Sequence, residues 1–201
     1  MTLPEEMGIM VLPEVVFFPH NLMPLHIFEP RYRLMLNRAL DGDRMFALAQ
    51  PDRKTGRRPC EVSGVGLIRA CVQNSDGSSN LILQGLCRAR FHEIGTSSNY
   101  YVGKPEEIVD EESPDTVENE ALATKILEQV HHIQDCREAL PQELRDFLSE
   151  IKDFHMLVDI VAGSFIKHPE RKQELLETPN LSRRLRILAI CLCQEYPKDA
   201  A

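Results

Sequence analysis

The sequence contains residue types that support catalysis, but their spacing matches no common hydrolase pattern. Zinc hydrolases place two histidines around a glutamate on one helix, and His92-Glu93 lacks the second histidine. His131 and His132 are adjacent, so on a helix their rings diverge. No Gly-x-Ser-x-Gly turn is present to hold a serine nucleophile. We therefore predict no catalytic residue and no metal ligand; spacing leaves open only a metal site assembled from distant residues.

The glycines also fail to form a nucleotide-binding loop. Phosphate-binding loops need a lysine followed by serine or threonine, whereas Gly103-Lys104 is followed by Pro105. Gly64 and Gly66 lack the third glycine of a dinucleotide-binding turn, and no helix pattern follows them. A bulge or a close backbone approach within a strand explains them better. We predict no cofactor.

The cysteines are interpreted as buried free thiols. No Cys-x-x-Cys pair occurs, so neither a zinc ribbon nor a thioredoxin-type site is indicated. Without a secretory leader, their even number is no evidence of disulfides. The six cysteines are Cys60, Cys71, Cys87, Cys136, Cys191 and Cys193.

Composition and charge narrow the class of protein. The 201 residues are 43% hydrophobic and 27% charged, which is typical of a globular protein with an ordinary core. The net charge of −8 opposes general nucleic-acid binding, because phosphates are neutralised by lysine and arginine. No uncharged apolar run is long enough to cross a membrane. The acidic first residues do not resemble a secretory leader, so we expect a cytoplasmic location and no membrane partner.

The elements divide into a β-rich half and an α-helical half. In the first half, Leu81, Leu83 and Phe91 alternate with polar neighbours, the period of two of a half-buried strand. One helix interrupts this half, with Pro30 in its first turn and Gly42 at its end. The other predicted strands lie at 9–12, 45–49, 65–72 and 100–103.

Beyond an acidic connector at 106–120, apolar residues recur with helical spacing. A further short helix is expected at 170–177, before Pro179. This periodicity predicts a helical bundle rather than a sheet. The three apolar stripes are Leu122, Ile126, Val130 and Ile133; then Ile151, Phe154, Val158, Val161 and Phe165; then Leu181, Leu185, Leu188 and Leu192.

The most informative stretch runs from Leu12 to Tyr32, where prolines recur among apolar residues. Proline fixes φ and removes an amide donor, so the stretch favours extended or edge segments. Its pattern resembles the opening of the LON N-terminal domain family. The resemblance continues through Gly64-Val65-Gly66, Leu83-Gln84-Gly85-Leu86-Cys87-Arg88-Ala89-Arg90-Phe91 and Lys172-Gln173-Glu174-Leu175-Leu176-Glu177, and it spans about residues 8–195.

This resemblance implies an α+β fold. The expected N-terminal part, residues 1–108, is a six-stranded PUA-like β pseudo-barrel with one helix. The expected C-terminal part, residues 109–201, is an α-helical bundle. The β half followed by an α half, read from periodicity alone, agrees with this expectation.

The resemblance also implies a function. In full Lon proteases this region recognises unfolded or tagged substrates and assists assembly, while the ATPase and peptidase are separate domains. We therefore expect a non-catalytic module that binds unfolded or exposed apolar polypeptide, is able to self-associate, and serves as an adaptor in protein quality control. Its candidate substrate-binding residues are Phe17, Phe18, Leu22, Met23 and Ile27; close packing of the barrel is the competing interpretation of the same residues.

Two alternatives belong to other classes. PUA-like folds suggest an RNA-binding protein, although the net charge makes nucleic acid the less favoured partner. A small-molecule enzyme is the third hypothesis, and no convergent acid-base or nucleophile set supports it. The basic residues for RNA would be Arg53, Lys54, Arg57, Arg58, Arg88 and Arg90.

Overall fold

The structure, a computed structural model, describes residues 2–53, 56–111, 116–137 and 142–197. Side chains at 134–137 and 142–145 lie outside this description. The protein divides into two compact units, Met1–Ile108 and Val109–Ala201. Strands form most of the first unit, and helices form the second.

The first unit carries the described strands and one helix. The strands are β1 (Met7–Val11), β2 (Leu22–Ile27), β3 (Met45–Ala49), β4 (Val62–Gln73), β5 (Ser79–Ser97) and β6 (Tyr100–Glu107), and the helix is α1 (Pro30–Asp41). Pro30 occupies the first helical turn and Gly42 follows the last, as the sequence predicts.

The sheet closes on itself because β5 is long enough to pair with three other strands. Its first half pairs with β2, its second half with β6, and both halves with β4. Since β4, β3, β1 and β6 are neighbours in that order, β5 completes a ring. Only β1 and β3 are parallel among the described strand pairs; the others are antiparallel. Strand β2 lies outside the ring as an edge strand.

Each face of the sheet supports its own core. Small residues such as Ala47 and Ala49 lie in one cluster with Ile9 and Phe91. Phe46 and Leu48 point to the other face, where they join residues of α1. Because β3 is buried on both faces, its sequence is a continuous apolar run instead of an alternating one. The α1 residues in this second cluster are Tyr32, Met35 and Leu36.

A backbone crossing explains the glycines of β4 and β5. A Cβ atom at Gly64 would lie 1.9 Å from the carbonyl oxygen of Phe17, and one at Gly85 would lie 2.1 Å from that of Phe18. The stretch before β2 therefore crosses β4 and β5 at a separation that allows no side chain. The Gly85 N–H then donates to the Asn21 carbonyl oxygen at 2.8 Å, which starts the pairing of β2 with β5.

The second unit is a group of helices around an apolar core. The described helices are α2 (Thr116–Arg137), α3 (Gln142–Glu150), α4 (Phe154–Phe165), α5 (Pro169–Glu177) and α6 (Leu181–Glu195). Asp153 caps α4 by accepting from the His155 N–H at 2.9 Å, and Asn180 caps α6 by accepting from the Arg183 N–H at 3.0 Å. The cap of α4 places Ile151 before the helix, although its spacing suggested helix. The other predicted strands and apolar stripes lie in observed elements, whereas β2 and α3 were not predicted as a strand and a helix. The predicted connector at 106–120 is shorter than expected, because β6 runs to Glu107 and α2 begins at Thr116.

A fully buried arginine lies inside this unit. Arg184 on α6 is 0% exposed, and its Nη2 donates to Oδ1 of Asp159 on α4. Its Nη1 lies 3.6 Å from Oδ1 of Asp110. Two carboxylates therefore compensate one buried cation and hold the start of the unit against α4 and α6.

The α+β prediction is confirmed, including the single helix of the β-rich part and the helical C-terminal part. The sheet is six-stranded, as expected, and it is mixed in strand direction.

We predict that Gly64→Ala lowers the free energy of unfolding by about 2 kcal/mol or more, because overpacking of a tight contact costs about 1–3 kcal/mol. Gly95→Ala is the matched control, since a Cβ at Gly95 meets nothing within 4 Å. Urea unfolding measures both variants. Equal stability of the two would show that the crossing relaxes freely.

Removing the charge of Asp159 tests the buried arginine. Breaking a buried ion pair costs about 3–5 kcal/mol, so we expect Asp159→Asn to destabilise the helical unit by that amount in urea unfolding followed by circular dichroism. The control is Glu118→Gln, which removes the exposed partner of Arg186. Its expected effect is below about 1 kcal/mol. A similar loss in both variants would contradict a special role for Arg184.

Candidate functional site

The structure separates the five predicted binding residues into a buried and an accessible group. Phe17, Phe18 and Ile27 are at most 3% exposed. They are core residues, so the packing interpretation applies to them and a client cannot reach them in the folded protein. Met23 is half-buried against the same core, whereas Leu22 is 65% exposed. Leu22 is therefore the member of the predicted set that a ligand can contact directly.

Leu22 belongs to an apolar face on β2, β5 and β4. The strand register places Pro24 of β2 opposite Ile82 of β5, and Ile82 opposite Ala70 of β4. Val72, 64% exposed, follows Ala70 by two positions and so points to the same side. Phe28, 63% exposed, lies just beyond the end of β2. We call this set the outer face: Leu22, Pro24, Phe28, Val72 and Ile82.

Polar side chains surround the outer face and hold its aromatic ring. The His26 ring stacks on Phe28, with 5.8 Å between ring centroids and 24° between planes. Nδ1 of His26 lies 2.8 Å from Oδ1 of Asn80, on the neighbouring strand. Nε of Arg69 donates to Oε1 of Gln84 at the other end of the face. Polar side chains therefore lie at both ends of the outer face.

Strand β2 provides a free edge, but one that is poorly suited to pairing with another strand. Among the described strands, β2 pairs only with β5. Asn21 is hydrogen-bonded to Gly85 of β5. In an antiparallel ladder every second residue bonds to the partner strand, so the N–H and C=O groups of Leu22, Pro24 and His26 point away from β5. Pro24, in the middle, has no N–H to offer, a common protection of edge strands. Contacts here would be made mainly by side chains.

Sequence reasoning missed Phe28, Val72 and Ile82. The alternation in β5 did contain the information for Ile82, because it lies between the buried Leu81 and Leu83. A branched apolar residue on the polar side of a strand is an exposed one. Val72 follows the same rule on β4, whereas Phe28 was assigned only to the opening of the helix.

The basic residues proposed for RNA are not all accessible. Arg88 is 2% exposed, so the expectation that it contacts RNA is wrong: its strand turns it into the interior. Arg90 lies 3.6 Å from a carboxylate oxygen of Glu61. Arg57 and Arg58 are exposed on the loop before β4, and Lys54 lies outside the described residues.

Burial shifts the pKa values of two side chains in opposite directions. Burial raises the pKa of the Cys87 thiol to about 12, the opposite of an activated nucleophile. Burial lowers the pKa of Lys172, whose Nζ donates to the Gly163 carbonyl oxygen at 2.9 Å. In the ranges that the structure describes, no three His, Cys, Asp or Glu side chains are placed to hold a metal. None of the described helices is long and apolar enough to cross a bilayer.

Comparison with known proteins agrees with this architecture. The chain is 29% identical over 190 residues to the Lon protease of Desulfosudis oleivorans, and the match covers 92% of this chain and 23% of the relative. It is 27% identical to the Lon protease of Escherichia coli, covering 91% of this chain and 24% of that one. The chain thus spans about a quarter of the length of the curated relatives it matches.

Solved structures show the same fold. The N-terminal domain of a Mycobacterium avium complex Lon protease superimposes with a TM-score of 0.77 at 18% identity, covering 93% of this chain and 97% of that one. The Lon N-terminal domain protein from Xanthomonas campestris gives 0.67 at 20% identity, covering 92% and 97%. The family model of the ATP-dependent protease La (LON) substrate-binding domain matches residues 6–194. The chain therefore belongs to the LON substrate-binding domain family.

Proposed function

We propose that the protein binds exposed apolar segments of unfolded polypeptide on the outer face and takes no catalytic part in their processing. The observation that carries this proposal is the exposure of Leu22, Ile82 and Val72 on one side of three neighbouring strands, with Phe28 exposed just beyond the end of β2. Exposed apolar groups of this kind mark interaction sites. The family's description as a substrate-binding domain supports polypeptide as the occupant.

The size of the outer face favours weak binding. Full burial of one large apolar side chain is worth about 1.5–3 kcal/mol, so four give about 6–12 kcal/mol as an upper limit. Association itself costs at least about 4 kcal/mol in lost translational and rotational freedom. The remainder corresponds to micromolar or weaker affinity. Such affinity suits an adaptor in protein quality control, because clients must be released as readily as they are captured.

The contact is made by side chains rather than by an added strand. Pro24 removes one of the outward amides from the short edge of β2, so an incoming strand could not complete its ladder. Contacts of this kind impose little sequence requirement beyond apolar character. This fits the variety of sequences that unfolded clients present.

A paired substitution tests the outer face. We expect Leu22→Asp combined with Val72→Asp to weaken binding of fluorescein-labelled, reduced casein by about tenfold or more, equivalent to about 1.4 kcal/mol, in fluorescence anisotropy. The matched control is Val117→Asp on α2, which is 75% exposed and lies in the other unit. Circular dichroism and thermal unfolding check that each variant folds. Absence of binding by the unmodified protein, or equal binding by all three, would refute the proposal.

Pro24→Val separates the two modes of contact. The substitution keeps an apolar side chain and restores the outward N–H. If side chains make the contact, casein affinity changes by less than about threefold, or about 0.6 kcal/mol. Markedly tighter binding would instead indicate that clients add a strand to β2.

A further inference from the structure

A cavity of about 750 Å³ opens in the helical unit beside α2 and the end of α6. Its volume lies in the range of ligand pockets, about 300–1,000 Å³. The two helices run in the same direction. The Ser182 hydroxyl donates to Oδ1 of Asn119 near the start of both helices, and Nε2 of Gln129 donates to the Cys193 sulfur farther along both. The cavity lies along the same stretch of α2, and Ala121, Tyr196 and Pro197 form its apolar lining.

The cavity is formed before any ligand arrives, because Tyr196 is fixed from several sides. Its hydroxyl donates to the Phe165 carbonyl oxygen at 2.8 Å, and its backbone N–H donates to the Leu192 carbonyl oxygen at 2.9 Å. The Lys167 ammonium lies 4.8 Å from the centre of its ring. A preformed wall spares a ligand the entropic cost of ordering it.

Gln129 places an unsatisfied amide in the cavity wall. It is 7% exposed and lies between the core residues Ile126, Val130 and Ile133 of α2. Its Nε2 donates to the Cys193 sulfur, but its Oε1 has no hydrogen-bond partner among the described residues. A buried acceptor without a donor destabilises the fold, so a native protein that keeps one calls for an explanation, such as a bound water, an ion or a functional role.

Two opposite charges lie on the rim of the cavity. Lys125 and Glu128 are three residues apart on α2, so they share one side of the helix. Neither forms an ion pair with another described residue. The rim therefore offers a donor and an acceptor next to an apolar pocket. This combination fits a group with an apolar body and adjacent carbonyl and N–H groups.

We propose that this cavity holds one apolar side chain of a polypeptide, with the backbone carbonyl oxygen of that residue at Lys125 and its backbone N–H at Glu128. The inference rests on the proposed function for its class of ligand, but it assigns a second contact site, in a different unit from the outer face. A second weak site would give a client another contact that is easily reversible.

The experiment uses N-acetyl-phenylalaninamide as the probe, since it contains one apolar side chain between two amide groups. Cys193 is exposed and lines the cavity, so a bound probe shields it from iodoacetamide. At a probe concentration of about twice its dissociation constant, alkylation of Cys193 slows about threefold by mass action. Cys60 and Cys71, both half-buried in the other unit, are internal controls whose rates stay unchanged. Mass spectrometry follows each cysteine separately.

Two variants and a second probe complete the test. Ala121→Trp fills the cavity from an exposed helix position, and Glu128→Lys reverses one rim charge; both abolish the protection of Cys193. Acetamide, which lacks the apolar body, gives none. Should Cys193 prove unreactive even in the free protein, amide chemical shifts along α2 on titration with the probe provide the same answer.

The outcomes distinguish this inference from the proposed function. Equal alkylation of Cys193 with and without the probe, or unchanged α2 shifts, overturns the cavity site even if casein still binds through the outer face. Protection of Cys193 that both variants retain also overturns it. The cavity site is supported if the probe protects Cys193 in the unmodified protein and in neither variant. This result would stand even if the outer-face variants bound casein normally.

Discussion

The structure of the first unit depends on a close backbone–backbone contact between two chain segments. Phe17 and Phe18 cross β4 and β5 above Gly64 and Gly85, and no side chain fits between the segments. Because the crossing is this close, both phenylalanine rings reach the core. After the crossing, the chain runs along β5 as strand β2. Among the described strands, β2 pairs only with β5, so its other edge is free. The outer face is therefore a consequence of the crossing: β2 exposes Leu22 because the residues just before it are buried.

The helical unit depends on a different interaction, a buried ion pair. Its core contains a charge, Arg184, that pure hydrophobic burial would not tolerate, and carboxylates from two segments compensate it. The geometry of an arginine fork is more directional than apolar contact. It fixes which residues of α4 and α6 face each other, and with them the start of the unit at Asp110. The first unit is thus specified by shape and the second, at this point, by charge.

Much of the fold could be predicted because local and tertiary preferences agree. Pro30 and Gly42 bound α1 where propensity places them, and the leucines of α6 are buried as their spacing predicts. The candidate site was harder, since apolar character alone does not say which side of a strand faces water. The sequence suggested that Phe17 and Phe18 form part of an apolar binding surface. They are buried instead, where their backbone crosses Gly64 and Gly85. Only the pairing of β2 with β5, more than fifty residues away, decides that Pro24 and Ile82 are neighbours.

The triple pairing of β5 also orders events during synthesis of the protein. The residues from Phe17 to Ile27 leave the ribosome long before β5, which begins at Ser79. At about 5–20 residues per second, this apolar stretch waits several seconds for its partner strand. During that interval it presents the same kind of exposed segment that the folded protein is proposed to capture. The nascent polypeptide is in this sense a potential client of its own finished copies.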